Sequence, residues 1–371
     1  MEKIQEILNK GLEKYIKENK VIGYKQKVMK SIKDCKTGAI GAHKYVCDEC
    51  GYEEIVYNSC RNRHCPNCQA GKKIKWIEAR KEEVLNIKYY HIVFTIPSEI
   101  YNIALQNQEK IYKILFKASS ETLQILAKDT KYLGAEIGFF SILHTWGQNL
   151  MYHPHVHLVV TGGGLTEINT WKEKKEDFFI PVKVMSRVFR GKFLSYMRKE
   201  KIEFYGNNQY LENLATYNEL IQNLYKKEWI VYCKEPFKNA ESVIQYLGRY
   251  THRVAISNER ILKIEGETVT FKWRDYKDNN KMKEMTISIQ EFIRRFLLHI
   301  LPPNFMKIRY YGILGNKSKK KKLLKCKILT RTKIYIKEKL PTLELLKKTL
   351  GKDFNLCPHC KKGHMLIPNT T

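Results

Sequence analysis

The order of apolar and polar positions predicts a chain in which helices and strands are mixed along the sequence. Residues 1–34 carry apolar side chains at helical spacing, which is typical of one or two amphipathic helices. The same spacing predicts further helices at 72–88, 105–128, 185–201, 211–227 and 290–300. Runs rich in β-branched residues and bounded by turn signals predict strands at 88–97, 136–146, 155–161 and 228–233, with hairpins in 254–289. This mixture is typical of an α+β fold.

Two of these strands bring histidines together. His155 and His157 are two residues apart, so on a strand both side chains point to one face while Val156 points to the other. His144 lies on the preceding strand, which a short connection makes the antiparallel partner. Neutral imidazoles are good metal ligands, although an isolated pair is equally compatible with structural histidines. The glycine triplet at 162–164 is expected to end the second strand.

The charge balance indicates a polyanionic partner. Lys and Arg number 67 against 38 Asp and Glu, which gives a net charge of +29. Nucleic acid is the commonest partner of such a chain, and an anionic membrane surface is the alternative. No apolar run is long enough for a spanning helix, and the first residues lack a signal-peptide core. We therefore expect a cytoplasmic protein, associated with the nucleoid and without a membrane partner.

Ten cysteines in such a chain indicate metal ligands rather than disulfides. Two pairs of the type Cys-x2-Cys stand 14 residues apart, which predicts one structural zinc site formed by Cys47, Cys50, Cys65 and Cys68. The same block offers a second candidate zinc set, Cys35, His43, Cys60 and His64. Arg61 and Arg63 lie between Cys60 and His64, so we expect this segment to face DNA phosphates.

The end of the chain combines a lysine-dense run with another cysteine pair. The lysines of the run are expected to contact the DNA backbone, chiefly Lys319, Lys320, Lys321 and Lys322. Cys357, Cys360 and nearby His364 form part of a candidate C-terminal zinc site, with His359 and Cys326 as alternative further ligands.

A predicted helix after Asn239 carries Tyr246 and Tyr250, four residues apart and therefore on one face. With 23 tyrosines in the chain, about one such pair is expected by chance, so the spacing alone carries little weight. Arg249 and Arg253, however, supply positive charge where a phosphate would need it. A tyrosine with a neighbouring divalent ion could attack a phosphodiester and form a 5′-phosphotyrosine.

Several blocks of the sequence resemble the two-tyrosine HUH transposases, which mobilise insertion sequences by a rolling-circle route. They are CKTGAIGAH, YNSCRNRHCPNCQ, HIVFTIP, HTWGQNLMYHPHVHLVVTGGG and YLGRYTHRVAIS, which occur in this order within residues 30–315. The resemblance implies that Tyr246 and Tyr250 are nucleophiles and that His155 and His157 bind the catalytic ion, Mg²⁺ or Mn²⁺. It also implies a zinc-binding DNA-recognition domain, and single-stranded DNA at transposon ends and target as the partner.

The implied fold is a central antiparallel sheet with flanking helices, preceded by a small zinc-binding domain. We expect the N-terminal helices and zinc domain at 1–75, the HUH domain at 76–305 and a basic C-terminal region at 306–371. His144 is the best candidate for the third metal ligand, and Gln148, His153 and His91 are alternatives. The alternative functions are an HUH replication initiator or relaxase, and a non-catalytic zinc-ribbon protein that binds nucleic acid.

Overall fold

The computed structural model describes residues 2–173, 180–237, 242–243, 246, 254–276, 278–334 and 340–368. In these ranges the helices are α1 Lys3–Glu18, α2 Gly23–Lys33, α3 Pro66–Lys81, α4 Tyr101–Gln106, α5 Gln108–Lys128, α6 Val182–Lys199, α7 Leu214–Lys226, α8 Ile289–Leu298, α9 Lys319–Leu329 and α10 Thr342–Leu350. The strands are β1 Ala42–Cys47, β2 Glu53–Tyr57, β3 Tyr89–Thr95, β4 Glu136–Trp146, β5 Tyr152–Leu165, β6 Trp171–Glu173, β7 Val231–Phe237, β8 Ile261–Glu265, β9 Thr268–Asp275, β10 Lys281–Ser288, β11 Ile308–Gly312 and β12 Met365–Leu366.

The central sheet is antiparallel and has the strand order β11-β4-β5-β3-β7, with β6 paired to β5. One face of the sheet is apolar, with Phe94, Val156 and Leu158 fully buried, and it belongs to the same core as α5 and α6. Each buried side chain of this size contributes roughly 1.5–3 kcal/mol to folding. This core fixes the strands that carry the histidines on the opposite face.

The glycine triplet does not end β5, contrary to the expectation from sequence. The strand continues to Leu165. Neighbouring strands approach its backbone so closely at these positions that only glycine fits. A Cβ on Gly162 would lie 2.8 Å from the carbonyl oxygen of Lys88. A Cβ on Gly164 would lie 2.5 Å from that of Glu136. The glycines thus extend the pairing of β5 rather than break it.

A second core lies beside the sheet and joins distant parts of the chain. It contains Ile4, Ile7 and Leu8 of α1, Met29 and Ile32 of α2, and buried residues of β8, β9 and α8 such as Phe271, Phe292 and Ile293. The N-terminal helices therefore pack on residues 261–298, although the sequence assigned the two segments to different domains. The predicted long helix at 105–128 is divided into α4 and α5 at Asn107.

The C-terminal region is not one separate unit in the structure. β11 is an edge strand of the central sheet, paired with β4. Leu323 and Cys326 of α9 are buried in a core with Phe140, Ile142 and Val159 of that sheet. β12 instead pairs with β1, which forms a small sheet of order β12-β1-β2. Among the described helices, none combines the length and the apolar composition that a membrane span requires.

Candidate active site

Three histidines converge on the polar face of the central sheet. His144 of β4 is the direct partner of His155 in β5, and His157 follows two residues later on the same face. All three side chains are buried. One ring nitrogen of each lies within 4.8 Å of the others, and the Nε2 atoms of His155 and His157 are 3.0 Å apart. This set could hold a single metal ion.

The outward ring nitrogens of the pair in β5 have their own partners. Nδ1 of His155 is 2.6 Å from the carbonyl oxygen of His153, and Nδ1 of His157 is 2.9 Å from Nε2 of His91. Metal-binding imidazoles usually have their second nitrogen fixed in this way, which sets the ring orientation and the tautomer. Both Nε2 atoms thus point toward the centre of the cluster, so the residues present fit a metal ion.

A tyrosine is connected to the cluster through His91. Tyr246 is helical, and its hydroxyl lies 2.6 Å from Nε2 of His91. The Tyr246 ring packs on Phe237 at the end of β7, with a centroid distance of 4.9 Å. Burial, together with the charge of Lys234, lowers the pKa of His91 to about 3, so this imidazole is neutral at pH 7. The sequence had offered His91 only as an alternative metal ligand.

The other residues considered as a third ligand have different partners. Gln148 donates a hydrogen bond of 2.8 Å to the hydroxyl of Tyr276. The Nδ1 atom of His153 lies 2.5 Å from the hydroxyl of Tyr101. His144, in contrast, stacks on Trp146 at 4.7 Å and meets the His157 ring edge-on at 4.5 Å. The geometry therefore favours His144 among the alternatives.

Tyr250, Arg249 and Arg253 lie outside the described residues. Their predicted roles as second nucleophile and phosphate contacts stay predictions.

The structure corrects the predicted grouping of cysteines. Cys47 and Cys50 do not share a cluster with Cys65 and Cys68. The knuckle at the start of α3 instead joins a first cluster of Cys35, Cys60, Cys65 and Cys68. The Sγ atom of Cys68 lies 3.5 Å from that of Cys35 and 3.6 Å from that of Cys60. Sequence spacing missed this set because Cys35 and Cys60 stand in no Cys-x2-Cys pair.

A second cluster contains Cys47, Cys50, Cys357 and Cys360. The histidines proposed as zinc ligands from sequence belong to neither cluster of the described residues. His43 lies on the exposed face of β1. The backbone of His364 forms hydrogen bonds with the side chain and the backbone of Asp48. His64 lines a cavity of about 280 Å³ with Trp146, His299 and Lys307. Burial lowers the pKa of His64 to about 3.

The predicted DNA-binding side chains fall into two groups. Arg63 donates hydrogen bonds of 2.6 Å to the carbonyl oxygens of Phe305 and Pro302, so an internal role explains it without DNA. Lys319 and Lys322 form ion pairs of 2.7 Å with Glu83 and Glu136. The exposed members are Arg61, Lys320 and Lys321.

Two family models match the chain. The one described as "Transposase zinc-binding domain" matches residues 7–96, and the one described as "Putative transposase" matches residues 138–322. "Putative transposase y4qJ" of Sinorhizobium fredii (strain NBRC 101917 / NGR234) is 44% identical over 350 residues, which cover 92% of this chain and 88% of the relative. "Transposase for insertion sequence element IS801" of Pseudomonas savastanoi pv. phaseolicola is 28% identical over 289 residues, 76% of this chain and 68% of the relative. No solved structure is significantly similar.

The antiparallel sheet, its flanking helices and the preceding cysteine cluster are those of a transposase with an N-terminal zinc-binding domain. The chain belongs to this family of insertion-sequence transposases. It is therefore an enzyme that cuts and transfers DNA strands.

Proposed function

We propose that this transposase nicks and joins single-stranded DNA through 5′-phosphotyrosine intermediates at the histidine cluster. The observation that carries the proposal is the chain of contacts from Tyr246 through His91 to His157. It holds a nucleophilic hydroxyl close to a set of imidazoles suited to a metal ion. A positioned hydroxyl can act as the nucleophile, and a metal ion on the imidazoles can stabilise the charge that develops on the scissile phosphate.

His144, His155 and His157 would hold a divalent ion, Mg²⁺ or Mn²⁺. When bound, that ion would supply positive charge to the non-bridging oxygens of the scissile phosphate and to the departing 3′ oxygen. The protein contributes a rigid arrangement, since β4 and β5 fix the backbone and His91 and the His153 carbonyl fix two of the rings.

The tyrosine needs this help because a phenol has a pKa of about 10 in water and is a weak nucleophile at neutral pH. In the proposed step the Tyr246 oxygen forms a bond to phosphorus and the bond from phosphorus to the 3′ oxygen breaks. The phenolic proton ends on that 3′ oxygen. The products are a 5′-phosphotyrosine and a free 3′-hydroxyl.

The reverse step transfers the strand. A 3′-hydroxyl of another DNA end attacks the phosphotyrosine, a new phosphodiester forms and the tyrosine is released. No external energy source is required because the phosphotyrosine replaces one ester bond with another. The resemblance to two-tyrosine enzymes assigns Tyr250 as the second nucleophile, which would allow a second strand end to be held.

The polarity of the covalent adduct tests this proposal. The protein is incubated with single-stranded oligonucleotides carrying transposon-end sequence and Mn²⁺, labelled at the 3′ end in one sample and at the 5′ end in the other. We expect the 3′ label on a denaturant-stable protein band and the 5′ label on a shortened free strand. A 5′ label on the protein, or an adduct that forms equally well in EDTA, would overturn the proposal.

Matched variants identify the nucleophile. Tyr246→Phe/Tyr250→Phe is expected to abolish the adduct while the oligonucleotide is still bound in a gel-shift assay. Tyr210→Phe is the control, because Tyr210 is exposed and lies outside the histidine cluster. If the double variant and the control formed the adduct at the same rate, the catalytic assignment would be wrong.

A further inference from the structure

The four thiols of the second cluster come from the two ends of the chain. Cys50 lies 307 residues before its neighbour Cys357, and Cys47 lies 313 residues before Cys360. Cys357 and Cys360 lie beyond both segments matched by the family models, which end at residues 96 and 322. The function proposed above gives this cluster no role.

We propose that Cys47, Cys50, Cys357 and Cys360 bind a second structural zinc ion, which closes a zinc ribbon assembled from both ends of the chain. The proposal does not depend on the nuclease mechanism. Zinc bound by thiolates at about 2.3 Å in a tetrahedron requires sulfur atoms about 3.8 Å apart. The Sγ distances are 3.8 Å between Cys47 and Cys360 and 3.7 Å between Cys50 and Cys357.

Residues 47–51 and 357–361 have the same local backbone geometry, which is that of a zinc knuckle. In each, the residue after the second cysteine donates its N–H to the carbonyl oxygen of the first. The nitrogen of Gly51 lies 3.1 Å from the carbonyl oxygen of Cys47, and the nitrogen of Lys361 lies 3.2 Å from that of Cys357. Both donors have positive φ, +67° for Gly51 and +58° for Lys361. Lys361 thus has a left-handed backbone conformation, which residues other than glycine rarely adopt.

Contacts between the knuckles hold them in register. The N–H of His364 donates to a carboxylate oxygen of Asp48 at 2.7 Å, and the N–H of Asp48 donates to the carbonyl oxygen of His364. The rings of Tyr52 and His359 stack in parallel at 5.5 Å. β12 extends the β1–β2 hairpin by pairing Met365 with Cys47. The tail is therefore an integral strand of the N-terminal ribbon.

Gly363 shows how tightly the knuckles meet. A Cβ at this position would lie 2.6 Å from Sγ of Cys47 and 2.5 Å from a carboxylate oxygen of Asp48. The Gly363 N–H points to Sγ of Cys360 at 3.4 Å, which is the kind of contact that stabilises a thiolate bound to a metal. Glycine is required here because one knuckle's backbone packs against the other's sulfur.

Zinc content of the full-length protein tests the proposal. Native mass spectrometry of the wild type should show two zinc ions. Cys47→Ser/Cys50→Ser and Cys357→Ser/Cys360→Ser should each retain one, and the variant with all four substitutions should also retain one. This lack of additivity is expected only if both knuckles hold the same ion. Loss of both ions from the fourfold variant, or two ions retained by Cys357→Ser/Cys360→Ser, would refute the shared site.

The first cluster and two unrelated cysteines provide controls. Cys65→Ser/Cys68→Ser should lose the other ion, and combining it with Cys357→Ser/Cys360→Ser should leave none. Cys233→Ser/Cys326→Ser should retain two, because neither residue belongs to a group of potential metal ligands among the residues that the structure describes. A mass deficit from disulfides, or visible absorption from bound iron, in the freshly purified wild type would contradict zinc as the occupant.

Hydrogen exchange separates a local loss from failure to fold. In Cys357→Ser/Cys360→Ser we expect the amides of Asp48 and His364 to lose protection while those of β4 and β5 keep it. Gly363→Ala should weaken retention of the same ion against a chelator at least about tenfold, as expected when a packed metal environment is disturbed. Gly23→Ala is its control, because a Cβ there meets no atom within 4 Å. Equal zinc retention by the two glycine variants would contradict the tight packing of the knuckles.

Discussion

The hydroxyl of Tyr246 lies 2.6 Å from Nε2 of His91, and the same nitrogen lies 2.9 Å from Nδ1 of His157. One imidazole thus positions both the proposed nucleophile and a proposed metal ligand. A residue that holds two reacting groups in this way affects the rate more than it affects DNA binding.

Replacement of His91 should slow formation of the covalent adduct. We expect His91→Ala to reduce the single-turnover rate about 10- to 100-fold and to weaken Mn²⁺ binding by a similar factor, because the ring of His157 loses its partner. Single-turnover kinetics across a Mn²⁺ titration measure both effects. Tyr101→Phe removes the contact between the Tyr101 hydroxyl and His153, and it should change the single-turnover rate and the Mn²⁺ affinity by no more than about twofold. If Tyr101→Phe and His91→Ala had equal effects, the positioning role of His91 would be contradicted.

Replacement of His155 should separate chemistry from binding. His155→Ala is expected to reduce cleavage at least about 1000-fold, which corresponds to about 4 kcal/mol of stabilisation of the transition state. Oligonucleotide affinity measured by fluorescence anisotropy should stay within about threefold, because the lysine and arginine surface supplies most of it. A parallel loss of affinity would indicate that the histidine cluster serves binding or folding instead.

Replacement of Arg61 and of Arg63 should have different effects on stability and on DNA binding, although the two residues are only two positions apart. Arg63→Met removes two hydrogen bonds to carbonyl oxygens of residues 302 and 305 and should lower the free energy of unfolding by about 3 kcal/mol. Arg61→Met should leave stability nearly unchanged but reduce the salt dependence of DNA binding by about one phosphate contact. Urea unfolding and binding isotherms at several salt concentrations test the pair, and a reversed pattern would contradict the assignment.

The lysines at 319–322 should likewise divide into two that contact DNA and two that serve the fold. Lys320→Ala/Lys321→Ala should lower the slope of log affinity against log salt for single-stranded DNA by about 1.4, or about 0.7 for each contact. Lys319→Ala/Lys322→Ala should change the slope less, because those ammonium groups are paired with Glu83 and Glu136. If both double variants shifted the slope equally, exposure would not decide which lysines contact DNA.

The two cysteine clusters should release zinc at different rates. Cys50 is exposed, whereas the first cluster has two buried and two half-buried thiols. A chelating dye that reports free zinc by colour should therefore record a fast and a slow phase in the wild type. Cys357→Ser/Cys360→Ser should lack the fast phase, and a single phase in the wild type would contradict two distinct sites.

Much of the framework could be predicted because it depends on local pattern. The strands at 88–97 and 136–146 are confirmed, since runs rich in β-branched residues and bounded by turn signals predict them. The antiparallel pairing of the two strands that carry His144 and His155 is also confirmed, because the connection between them is short. The resemblance to HUH transposases is confirmed by the relatives and family models. The roles of the three histidines as metal ligands and of both tyrosines as nucleophiles stay predictions.

The grouping of the cysteines required the tertiary structure. Sequence spacing paired Cys47 and Cys50 with Cys65 and Cys68 because the two knuckles are neighbours along the chain. In the fold, the hairpin of β1 and β2 carries the first knuckle away to meet Cys357 and Cys360, while the helices before it bring Cys35 to Cys65. Ligands separated by some 300 residues leave no local signal.

The sequence by itself therefore determined the α+β class, the positive charge and the histidine pair on one strand face, because each depends on composition or on local periodicity. The family followed from the resemblance of its sequence blocks. Tertiary structure decided which residues complete each site. The partner of Tyr246, the members of both cysteine clusters and the internal role of Arg63 arise from contacts between distant segments, and those follow from how the cores pack.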